Sequence, residues 1–129
     1  MTKKNHIDLL ILKKQNVNKF VSLKLKKDID RVFKEARVRH NGGITLRALK
    51  NDLKVIRLLI IPMHGYGNAV ERNLLKRRVR EIIRSKQNLI TGFDIVIAVN
   101  KSEVNASFND LSKKIDNLLM YSNLTIRGN

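Results

Sequence analysis

Apolar residues recur along this chain with two alternating periods. Ile29, Val32, Phe33 and Ala36 recur at helical spacing and predict a helix over about Lys26 to Ala36. Val38 to His40 then reads as extended, Asn41-Gly42-Gly43 as a turn, and Ile44 to Lys50 as a strand. Asn51-Asp52 marks a second turn. From Val55 to Ile61 both alternating sets are apolar except for Arg57, so that strand is expected to be central and covered on both sides. Pro62 ends it. A long amphipathic helix follows, with Leu75, Val79, Ile82 and Ile83 on one side. Gln87 to Gly92 reads as a loop and Asp94 to Val99 as a second buried strand. Phe108, Leu111, Ile115, Leu118 and Leu119 make a last helix, opened by Ser107 and Asp110 at capping-box spacing. From Tyr121 on the chain is expected to fray.

The predicted order is α-β-β-β-α-β-α, one α+β domain around a four-stranded mixed sheet. It divides into an extension over 1–22, a folded domain over 23–120 and a frayed end over 121–129. The 129 residues suffice for one core of ordinary size, with only six aromatics to fill it. No internal repeat or linker interrupts them.

The chemistry concentrates in the middle helix. Asn68 is placed to cap it, and Glu71, three residues on, to close a capping box. Asn73, Lys76, Arg77, Arg80 and Arg84 gather roughly opposite the apolar side. From Val70 to Lys86 seven Lys/Arg stand against two Glu, and five of the seven are arginine. Intrahelical pairs leave that excess uncompensated, so the face meets solvent or an anion. The planar fork of arginine suits phosphate oxygens, and free amides at a helix N-terminus favour the same group. Together these favour a nucleic-acid face over a merely solvated one.

The rest of the charge agrees. The net charge is +16, with a pI near 10.6. Residues 1–27 carry +7, 28–50 carry +3, 51–69 carry +1, 70–86 carry +5, and 87–129 carry zero. The basic face is therefore expected on the first two-thirds of the fold. The absence of cysteine excludes disulfides and thiolate metal sites, and it suits a reducing cytoplasm. Ile7 to Leu12 is too short and interrupted for a membrane span or a signal peptide core. Residues 1–22 are expected to form a partly ordered basic extension.

Little in the sequence points to a catalyst. His6, His40 and His64 are unpaired in sequence and two lie beside turns, so they read as surface groups. The eleven carboxylates are scattered, without a cluster to hold two metal ions, and no phosphate-binding Gly-Lys-Ser/Thr loop occurs.

Asn68-Ala69-Val70-x-Arg72-Asn73-x-x-Lys76-Arg77-x-x-Arg80-Glu81 resembles the signature helix of the protein subunit of bacterial ribonuclease P. The similarity runs in order over roughly Phe20 to Leu119. Two departures remove basic groups: Leu74 stands where the family usually has arginine, and Met63-His64-Gly65 where it has a Ser-Lys-Lys run.

The resemblance implies a ribosomal protein S5 domain 2-like fold with a left-handed β-α-β crossover, against the usual right-handed rule. It also implies an RNA-binding subunit that assists a catalytic RNA in removing the 5′ leader from precursor tRNA. The RNA subunit would carry the chemistry and, with the complex, the Mg2+, leaving no catalytic or metal-binding side chain in this chain. By position, Arg72, Asn73, Lys76, Arg77 and Arg80 would contact the catalytic RNA, Asn68 would shape the loop, and Glu81 would orient an arginine. Leader contact would fall between the first helix and the sheet, at Phe33 and Arg47. Core packing is the equal alternative for Phe33, and an exposed strand charge the alternative for Arg47. The implied setting is cytoplasmic, with catalytic RNA and precursor tRNA as partners and neither membrane nor protein partner. The competing reading is a double-stranded RNA-binding or ribosomal-type module without a role in cleavage; the strand at Asp94 and the last helix are surplus to a double-stranded RNA-binding domain.

Overall fold

The computed structural model describes residues 20–86 and 90–122. Five strands form one mixed sheet: β1 (Phe20–Ser22), β2 (Arg37–Asn41), β3 (Ile44–Lys50), β4 (Ile56–Pro62) and β5 (Phe93–Val99), in spatial order β1-β4-β5-β3-β2. Three helices accompany them: α1 (Lys26–Glu35), α2 (Ala69–Arg84) and α3 (Phe108–Tyr121). β1, β4 and β5 run parallel, while β3 and β2 are antiparallel to their neighbours.

The sheet has five strands where the sequence pattern predicts four. The extra strand is β1, which pairs Phe20, Val21 and Ser22 with Ile56, Arg57 and Leu58. Three residues are too few to show alternation, and their partner lies more than thirty positions away. These residues fall in the stretch expected to be an extension. The rest of that extension, residues 1–19, and the end beyond Ser122 lie outside the described residues, as does His6. Tyr121, expected to fray, closes α3. Within the expected 87–92 loop, Ile90 is fully buried in the main core.

Alternation sets the two faces of the sheet. Ile56, Leu58 and Ile60 join Ile44, Leu46, Ile95, Ile97 and Val99 on one face, under Leu75, Val79 and Ile83 of α2 and Leu111, Ile115 and Leu118 of α3. The opposite face holds a smaller cluster, in which Val32 of α1 packs with Leu23 and Val96. Both faces of β4 and β5 are thus covered, as their double apolar run requires.

Arg57, the exception in that run, sits on the α1 face. Its guanidinium donates to both carboxylate oxygens of Asp94 at 2.7 Å and to Asp28 in the first turn of α1 at 3.1 Å. Asp94 is fully buried and also accepts from Asn51 Nδ2 at 2.9 Å. The carboxylate hydrogen bonds of Asp94 raise the Arg57 guanidinium further above its ordinary range. One cation thus fastens α1 to the two central strands.

Both predicted capping boxes form. Glu71 N donates to Asn68 Oδ1 and Asn68 N to Glu71 Oε1, each at 2.9 Å. Gly67, at φ +45°, leads into the cap, and a Cβ there would lie 2.6 Å from Glu71 Oε1. Asn68→Ala leaves a first-turn amide without its acceptor and is expected to cost about 1 kcal/mol. Urea denaturation at unchanged m-value measures it, and a loss near zero would show that the box contributes nothing.

Candidate nucleic-acid interface

α2 presents its cations because its apolar side is fixed. Leu75, Val79, Ile82 and Ile83 are buried against the sheet, which leaves Arg72, Asn73, Arg77 and Arg80 exposed and Lys76 half-buried. Among the described residues, none of these five side chains makes a hydrogen bond or ion pair with another part of the chain. The charge is available to a partner. Asn68 is spent on the cap, so its part is to shape the loop and aim the helix. Glu81 meets Arg84 at 3.0 Å on the exposed surface of α2.

Arg78 belongs elsewhere. It turns toward α3 and donates to the Ala106 carbonyl at 3.2 Å, joining the two helices. Leu74 is half-buried, and Met63, His64 and Gly65 are exposed in the loop before α2. The departures from the signature therefore leave the exposed arginine face itself intact.

On the other side of the sheet, the structure brings the two predicted leader residues into contact. The Arg47 guanidinium carbon lies 4.5 Å from the centroid of the Phe33 ring. Arg47 is not the exposed strand charge of the alternative reading. It is half-buried, and its Nε is buried without a hydrogen-bond partner. Phe33 stays 42% exposed, so its ring is not consumed by the core. Val38, beside Arg47 in register on β2, is also exposed. The junction of α1 and the sheet thus offers one aromatic face, one cation and an apolar shoulder.

Sequence reasoning missed two constellations. One is the Arg57–Asp28–Asp94 cluster; a lone arginine in an apolar strand and an aspartate opening another were the signals. The second is Arg84 of α2, whose guanidinium lies 5.2 Å from the Phe20 ring centroid. His40 and His64 are exposed, and His40 Nδ1 lies 3.1 Å from Thr45 Oγ1.

A mixed sheet with an uncompensated arginine helix on one face and an aromatic–cation junction on the other defines a basic α+β RNA-binding protein. Residues 17–122 match the family model described as Ribonuclease P. The Ribonuclease P protein component of Thermotoga petrophila is 40% identical over 80 residues, covering 61% of this chain and 68% of that one. That of Streptococcus pneumoniae is 30% identical over 108 residues, covering 83% and 88%. The structure of the Thermotoga maritima RNase P protein in complex with 1-(4-fluorophenyl)-2-thiourea has a TM-score of 0.69 and 36% identity, covering 75% of this chain and 95% of that one. The Staphylococcus aureus RNase P protein shares the fold, with a TM-score of 0.75 at 22% identity. The chain belongs to the ribonuclease P family, as a protein component of that enzyme.

Proposed function

We propose that the protein holds two RNA elements on opposite faces of its sheet while the catalytic RNA cuts precursor tRNA at the 5′ leader. The exposed face of α2 takes the catalytic RNA through Arg72, Asn73, Lys76, Arg77 and Arg80. The α1–sheet junction takes the leader at Phe33 and Arg47. Kinship supports the first assignment, and the contact between Phe33 and Arg47 carries the second. No side chain of this protein takes part in bond cleavage.

Mg2+ belongs to the RNA subunit and the complex. The carboxylates least open to solvent suit it poorly: Asp28 and Asp94 share Arg57, and Glu103 is held by Lys114 at 2.7 Å. Among the described residues no three His, Asp or Glu gather at a metal-binding spacing. The proposal includes the left-handed β4–α2–β5 crossover and the likeness to ribosomal protein S5 domain 2, both supported by kinship; the parallel β4–β5 pairing requires a crossover there. It includes a cytoplasmic setting; no helix among the described residues is long and apolar enough to cross a membrane.

An exposed ring contributes stacking of about 1–3 kcal/mol per base, and a cation contributes attraction that salt screens. The preference for leader-bearing over leaderless tRNA is therefore expected to fall with salt and to shrink in Arg47→Ala. Binding to the assembled ribonucleoprotein across a salt series measures both. A ratio that is flat with salt and untouched by the substitution would place the leader elsewhere.

A further inference from the structure

The N-terminal strand and α2 enclose a groove of about 390 Å³. Its origin lies in a mismatch of strand lengths. β1 covers β4 only as far as Leu58, whose carbonyl accepts the Leu23 amide at 2.9 Å before the chain leaves for α1. Among the described residues, β4 continues four residues further without a strand on that side. By alternation, the Ile60 amide and carbonyl are the next backbone groups aimed at this edge.

The lining combines two chemistries. Phe20, Leu58 and Ile60 supply an aromatic and aliphatic surface, while Lys24, Lys76, Arg80 and Arg84 bring four cations to the rim. Lys24, Lys76 and Arg80 have no ion-pair partner among the described residues. Arg84 reaches over the Phe20 ring and is held there by Glu81. Three unpaired like charges converging beside the Glu81-paired Arg84 repel one another, and an anion relieves that repulsion. A bare phosphate, however, gains nothing from a ring and an aliphatic floor. A nucleotide uses both halves: its base stacks on the Arg84 guanidinium layered over Phe20, the Ile60 backbone meets the base edge, and its phosphate meets Lys24, Lys76 and Arg80.

We infer that this groove between β1 and α2 seats one unpaired nucleotide of the bound RNA. The inference rests on the reading of α2 as an RNA face and adds a base-holding pocket to its phosphate contacts.

Adenosine 5′-monophosphate and ribose 5-phosphate, titrated into the full-length protein with Ile and Leu methyl labels, separate base from phosphate. The nucleotide is expected to bind about tenfold tighter and to shift the Ile60 and Leu58 methyls. Phe20→Leu, which keeps apolar volume, should bring the two ligands within twofold while leaving ribose 5-phosphate binding in place. Equal binding of the two ligands to the wild type would reduce the groove to an anion site and overturn the proposal. Unmoved Ile60 and Leu58 methyls would do the same. Affinity for the catalytic RNA, measured in Phe20→Leu and in Arg72→Ala, keeps the two readings apart. Loss in both supports the pocket. Loss in Arg72→Ala alone sinks the pocket and leaves the RNA face standing. Selective nucleotide binding with no effect of Arg72→Ala keeps the pocket and removes the face.

Discussion

Arg57→Met is expected to destabilise the fold by about 3–5 kcal/mol, the cost of stranding a buried charge by removing its partner. Asp94 is fully buried, and after the substitution, among the described residues, only Asn51 still donates to its carboxylate from a side chain. Asp28 loses its tie to the sheet at the same moment. The effect has a diagnostic sign. Asp94→Asn alone should destabilise, because it removes the acceptor charge that Arg57 needs. In the Arg57→Met background the same change should restore stability, because a neutral amide is cheaper to bury than an unpaired carboxylate. Urea denaturation of the four proteins of this cycle gives the answer. Simple additivity would show that the cluster carries little coupling.

Arg72→Ala with Arg80→Ala is the second large effect, on RNA binding rather than stability. Both side chains are exposed, and among the described residues neither has a partner within the chain. A charge-assisted contact contributes about 1.5 kcal/mol or more, roughly tenfold in affinity for each arginine. The slope of log affinity against log salt should fall by about two units in the double variant, since each phosphate contact releases its own counterion. The circular dichroism spectrum should be unchanged, because the core of α2 is made by Leu75, Val79, Ile82 and Ile83. Filter binding from low to moderate salt measures the slope. An unchanged slope with intact folding would move the catalytic-RNA contact off this face.

What sequence made legible follows from how far each signal reaches. Helices and long strands show themselves through the period of their own apolar residues, so α1, α2, α3, β3, β4 and β5 emerged with usable limits. The capping boxes at Asn68 and Ser107 are local chemistry, and both formed. β1 escaped because its strand character lies in its partner. The pairing of Arg57 with Asp94 needed the β4–β5 register, which no local period encodes. The same holds for the site. Residue types and helical spacing marked the arginine face, and resemblance singled out Phe33 and Arg47. That these two touch depends on how α1 sits over β3, and the Phe20–Arg84 contact depends on the strand that was missed.

The unequal apolar layers on the two sides of the sheet give the molecule unequal local stability. α2 and α3 share the large cluster, while α1 rests on Leu23, Val32 and Val96 and on a guanidinium fastening. Opening α1 exposes far less apolar surface than opening α2, so the free energy of that sub-global excursion is smaller. The arginine helix is thereby the more rigid of the two elements. Across the sheet, α1 is the element that can lift first without melting the rest.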